Sequence, residues 1–130
     1  MTWNDIAIDP ELVRACEPTI FGQWTDTEIQ SPRLAVIRDE VRLDIADAIG
    51  STTTIADATL DVVAATWTSD VVRAFVYKFL HLHFVDHDGG DGSATRYRAK
   101  MYGDKYQTAR AQFRRFAGDT ASVRQTTLSR

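Results

Sequence analysis

Thr68-Ser-Asp-Val-Val-Arg-Ala-Phe-Val-Tyr-Lys-Phe-Leu-His-Leu-His-Phe-Val-Asp86 is the stretch on which the fold turns. Thr68, Ser69 and Asp70 carry the short polar side chains that cap a helix. They predict a helix over about residues 70–86 that is apolar nearly all round. Its polar exceptions, Asp70, Arg73, Tyr77 and His81, recur at spacings of 3, 4 and 4 and form one narrow stripe. A helix with so little polar surface lies at the centre of its domain. The apolar run 71–85 is interrupted by Arg73, Lys78, His81 and His83 and is too short to span a bilayer, so no membrane is expected as a partner.

Downstream, Asp88-Gly-Gly-Asp-Gly-Ser93 is a strong breaker. Beyond it Ala99, Tyr102, Tyr106, Ala109, Phe113 and Phe116 recur at spacings of 3, 4, 3, 4 and 3, a heptad seam that predicts a long helix ending at Gly118. Gly103 lies inside that helix, where glycine costs about 1 kcal/mol relative to alanine. The tail 119–130 is Ser/Thr-rich, with Arg124 and Arg130, and has too few apolar residues to pack alone. It reads as flexible until bound.

Upstream, Asp9-Pro10-Glu11 is a helix start, with Pro18 ending that helix after two turns. Phe21-Gly22-Gln23-Trp24 then reads as a loop with apolar anchors. Ser31-Pro32 opens a second helix, whose residues Leu34, Ile37, Val41, Ile45 and Ala48 fall on one face. Gly50 is its C-cap. Thr54 and Asp57 resemble a capping box and predict a short helix over 55–65. No strand alternation and no internal repeat is present. The expected fold is all-α: four to five helices over 1–118, followed by a flexible tail over 119–130.

The chain has 130 residues, 44% of them apolar, which suits one globular domain. Charge is divided unevenly. Residues 1–94 carry 6 basic and 16 acidic side chains, while 95–130 carry 9 basic and 2 acidic ones. Such a division speaks to partners rather than to fold. The lone cysteine, Cys16, excludes an internal disulfide and a cysteine-based zinc site. The first residues lack the basic and apolar regions of a secretory signal, so a soluble protein made in the cytoplasm is expected.

Candidate chemistry is sparse. His81, His83 and His87 with Asp86, Asp88 and Asp91 form the conspicuous ligand cluster. His83 and His87 share a helix face and are the weak metal candidates, whereas His81 lies about 200° away around the helix. The favoured reading of the cluster is a helix C-terminus followed by a solvated acidic loop. A calcium loop counted from Asp86 fails, with Gly90, Asp91 and Tyr97 at its fifth, sixth and twelfth positions. Cys16 has no histidine nearby in sequence and reads as a small buried hydrophobe. Asp39-Glu40 and Asp44/Asp47 read as a solvated helix face. No phosphate-binding glycine motif occurs. No catalytic residue, metal or cofactor is expected.

The basic segment is the candidate interaction surface: Arg96, Arg98, Lys100, Lys105, Arg110, Arg114 and Arg115, with Arg124 and Arg130 in the tail. Basic side chains interleaved with aromatics can bind nucleic acid, the rings stacking on bases. Heptad spacing instead makes the aromatics one buried face, which favours contact with protein, including a second copy of the chain.

The segment Arg73-Ala-Phe-Val-Tyr-Lys-Phe-Leu-His-Leu-His-Phe84, the acidic Gly-rich loop, and Tyr97-Arg-Ala-Lys-Met-Tyr-Gly-Asp-Lys-Tyr106 together resemble the head–tail connector proteins of tailed bacteriophages. These are also called adaptor or head-completion proteins. The start Asp9-Pro-Glu-Leu-Val-Arg-Ala-Cys-Glu-Pro18 fits as well, and the resemblance spans about residues 9–116. It implies a non-enzymatic α-helical subunit of the virion that forms a homo-oligomeric ring, often of twelve, beneath the portal protein. Such a ring extends the DNA channel without sequence recognition and docks a downstream tail or stopper protein. The resemblance also implies a C-terminal segment able to reach the portal. Gly103 and the His-rich end of the central helix depart from the family pattern. The alternative is a small helical nucleic-acid-binding regulator using the basic helix. A third reading is a metal-dependent hydrolase at His83/His87. A basic channel wall would retard passing DNA, so the basic segment is expected to face protein and the acidic part to supply any surface DNA slides past.

Overall fold

A computed structural model describes residues 2–31, 33–50, 56–87 and 93–116. Among these, all regular structure is helical: a 3-10 turn Trp3–Asp5, then α1 (Pro10–Cys16), α2 (Pro18–Phe21), α3 (Asp26–Gln30), α4 (Arg33–Ala48), α5 (Asp57–Thr66), α6 (Thr68–Asp86) and α7 (Ser93–Ala111), and a closing 3-10 turn Gln112–Arg115. The all-α expectation holds. The expectations for Pro32, Thr54, the loop 88–92, Gly118 and the tail with Arg124 and Arg130 lie outside the described residues.

The central helix is α6. Val71, Ala74, Phe75, Val76, Phe79, Leu80, His83 and Phe84 are buried on it, and α1, α4, α5 and α7 all pack against it. Helix α4 buries Ile37, Val41 and Ile45, with Leu34 and Ala48 half-buried beside them. Gly50 takes φ +85°, a left-handed conformation suited to glycine, and closes α4. Helix α7 lays Ala99, Tyr102 and Tyr106 on the body, and beyond its end Phe113 and Phe116 are buried too, in and just after the turn that packs against α4. The Phe84 and Tyr102 rings stack with centroids 5.8 Å apart. The last turn of the seam tightens to 3-10 geometry over Gln112–Arg115 instead of running on as α-helix.

Three local readings change. Pro18 does more than end α1. It occupies the first position of α2, where its missing N–H leaves nothing unsatisfied. The segment after Trp24, unassigned from sequence, is α3. Thr25 and Glu28 close a capping box there, with Glu28 N–H donating to Thr25 Oγ1 at 3.2 Å and Thr25 N–H to Glu28 Oε1 at 2.9 Å. The Thr68-Ser69-Asp70 cap is absorbed into α6, which starts at Thr68 and is separated from α5 by Trp67 alone. The Thr68 hydroxyl donates back to the carbonyl of Ala64, tying the two helices at this corner.

The N-terminal segment is held by side chains from distant elements. Trp3 N–H donates to Asp61 of α5 at 2.8 Å, and the Trp3 ring meets Phe75 edge-on at 5.6 Å. Gln30 of α3 both accepts from Ile8 N–H at 3.0 Å and donates to the Ile8 carbonyl. Arg38 donates to the carbonyls of Asn4 and Ile6. These bonds satisfy backbone groups that the short 3-10 turn and the extended chain after it leave unpaired.

The polar stripe of α6 looks along the seam with α7. At its end His81 bonds through Nδ1 to the Ala99 carbonyl at 2.8 Å, so this nitrogen is the proton donor. A Cβ at Gly103 would stand 2.9 Å from His81 Nδ1 and Cε1. Glycine is there to make room for the imidazole. Gly103→Ala gains about 1 kcal/mol on helix propensity but loses about as much when the ring leaves its hydrogen bond, so it is expected to leave stability nearly unchanged. In a His81→Ala background the same change is expected to stabilise. Urea denaturation of the four proteins of this cycle measures the coupling, and additive effects would disprove it.

Candidate interaction surface

Folding brings the acidic and basic parts of the chain together. Arg98 Nε lies 3.2 Å from Glu17, in the break between α1 and α2, and the same carboxylate accepts the Tyr102 hydroxyl at 2.7 Å. Arg110 meets Asp47 at 3.1 Å and Asp44 at 3.5 Å. Asp44 also accepts from the Tyr106 hydroxyl, whose ring lies beneath the Lys78 ammonium at 4.7 Å. Burial, then the carboxylate partner, pushes both tyrosine hydroxyls well above the usual phenol range. Lys78 in turn pairs with Glu40 at 3.2 Å. The reading of Asp39-Glu40 and Asp44/Asp47 as a solvated face is therefore corrected: Glu40, Asp44 and Asp47 are engaged by cations of α6 and α7, and Asp39 stays on the outside.

The basic residues divide accordingly. Arg98 and Arg110 spend their charge inside the chain. Lys105 lies over the Tyr77 and Tyr102 rings, and Arg115 over the Trp67 ring at 4.6 Å, both with exposed side chains. Arg96, Lys100 and Arg114 are exposed on α7 and its extension.

Between α6 and α7 opens a cleft of about 260 Å³ lined by Asp70, Arg73, Tyr77, Lys105 and Gln112 among others. It runs into a trough of about 410 Å³ along α7, lined by Tyr97, Lys100, Met101, Asp104, Lys105 and Thr108. Lys105 and Thr108 belong to both. Tyr97 is 69% exposed. The apolar side chains Val36 and Leu43 of α4 are 53% and 55% exposed, on the face opposite its buried stripe.

The histidines do not converge. His81 turns to α7. His83 is 6% exposed, boxed by Phe21, Trp24 and Phe84 at ring distances of 4.9, 5.7 and 5.1 Å. His87 stacks on it at 4.2 Å and bonds through Nδ1 to the His83 carbonyl. Rings stacked nearly parallel aim their nitrogen lone pairs along separate planes, so His83 and His87 do not share one ion. Among the described residues no group of three His, Cys, Asp or Glu side chains is arranged to hold a metal. Cys16 is half-buried, and burial raises its thiol pKa, which keeps it protonated and poorly nucleophilic. Among the described residues no helix is long and apolar enough to cross a membrane.

Burial, then His87 and Arg33, lowers the His83 pKa from 6.5 to about 4. The fold thus holds this imidazole neutral, while the unfolded chain takes up its proton first as pH falls. The stability it contributes is full above about pH 6.5 and drains away towards pH 4, by up to about 3 kcal/mol. Urea denaturation at pH 7 and pH 4.5 is expected to show a smaller acid loss for His83→Phe than for the unaltered chain. An equal loss in both would disprove the assignment.

Compared with protein-family models, with curated proteins and with solved structures, the chain has no match in any of the three.

Proposed function

We propose that this chain is a virion structural protein of the head–tail connector type, an adaptor subunit that forms a ring with copies of itself beneath the portal protein. In this role the ring extends the DNA channel and docks the next tail component, and the subunit performs no chemistry. One observation carries the reading: after the internal ion pairs form, two unlike surfaces remain. Exposed Lys100 and Lys105 outnumber Asp104 on one flank of α7, while among the described residues exposed Asp39 stays without an internal arginine or lysine of α6 or α7 on the outer side of α4. Unlike patches on one subunit suit a head-to-tail contact, the kind whose repetition closes a ring. The resemblance over residues 9–116 supplies the virion setting.

The portal is the assigned partner of Arg114, Arg115 and the segment 117–130, which continues the chain from the basic end of α7. Any surface past which DNA slides is supplied by the acidic part of the chain, outside this subunit contact. Nucleic-acid binding by α7 is the weaker alternative, because Tyr102, Tyr106, Phe113 and Phe116 are buried and have no face to offer a base.

Negative-stain imaging and native mass spectrometry of the protein mixed with a portal protein from the same genome are expected to show a ring on the portal. A chain that stays monomeric at high concentration with portal present overturns the reading. Submicromolar DNA or RNA binding that weakens steeply with salt would transfer it to the regulator class.

A further inference from the structure

We infer that the outer face of α4 of one copy docks in the trough along α7 of the next. Val36 and Leu43 are seven residues apart, so they stand on one line about 10 Å apart along the helix. Each residue is more than half exposed. Asp39 lies exposed between them, whereas Asp47, one turn beyond Leu43, is held by Arg110 of the same chain. The arginines of α4 do not neutralise this face. Arg33 pairs with Asp86, Arg38 donates to Asn4 and Ile6, and Arg42 pairs with Asp57.

The trough is complementary in both respects. Tyr97 and Met101 line it with apolar surface, and Lys100 and Lys105 outnumber Asp104 along it, while in the adjoining cleft Arg73 is offset by Asp70. Its length suits a helix: Tyr97 to Thr108 spans three turns, or about 16 Å.

One molecule cannot satisfy both surfaces itself. Arg110, which meets Asp44 and Asp47 of the same chain, is five residues from Lys105 and so about 140° around α7 from it. The trough therefore faces away from the chain's own α4. The contact joins two different patches and is head-to-tail, so it propagates or closes instead of stopping at a two-fold dimer. It gives the ring reading above a specific interface and rests on it.

The test uses the full chain and two variants at exposed positions, Asp39→Lys and Lys100→Glu. Sedimentation velocity is expected to show salt-sensitive self-association of the unaltered chain, weakened at least tenfold in each variant alone. An equimolar mixture of the two variants is expected to recover it, because the α4 face of each variant then meets the opposite charge in the trough of the other. Far-UV circular dichroism checks that both variants fold. An unaltered chain that is monomeric throughout, variants that associate like it, or a mixture that fails to recover would each overturn the contact. Unchanged rings formed on a portal by both variants would overturn this contact and leave the ring reading standing. Recovery by mixing, with no ring on a portal, would do the reverse.

Discussion

Each helix of seven residues or more other than α6 packs against α6, and α6 has little surface left for water. That constraint organises the molecule. A helix buried on most of its circumference must be covered on several sides at once, so α1, α4, α5 and α7 are obliged to surround it. The closest of these partnerships is with α7. It depends on His81 donating to the Ala99 carbonyl and on Gly103 leaving space for the ring. His81 near the end of the central helix and the glycine inside the last one are therefore two sides of one contact.

Covering α6 also disposes of much of the charge division. An acidic body and a basic helix in one chain first attract each other, and the pairs Arg98–Glu17 and Arg110–Asp47 are the result. Such partly exposed pairs contribute little individually. Their main effect is on the surface that remains, because they tie down Arg98 and Arg110 and leave the side chains of Lys100, Lys105, Arg114 and Arg115 exposed. The outer side of α4 is the counterpart: its arginines are occupied and its apolar residues are not.

The three long helices were legible in the sequence because their apolar residues recur over many turns, and that periodicity outweighs a local irregularity such as Gly103. The short elements were harder for physical reasons. Thr25 and Glu28 do spell a capping box, but α3 buries a single residue, Ile29, and has no periodicity to support the signal. Pro18 ends one helix and begins another, and the residue alone does not say which. The ties of Gln30 to Ile8 and of Asp61 to Trp3 leave no local pattern at all, since each joins a side chain to a backbone far along the chain. At the interaction surface the basic residues were legible by type but their partners were not. Val36 and Leu43 lie off the apolar stripe of α4 and gained meaning once the fold left them uncovered.

Trp67 alone separates α5 from α6, with the Phe116 ring 5.4 Å away and the Arg115 guanidinium above it. The corner of the helical body and the last described turn thus share one indole. Because indole emission responds to polarity and to nearby charge, this residue is a built-in optical gauge of whether residues 115 and 116 are seated. An event that pulls on the chain beyond Phe116 would be registered there without any label.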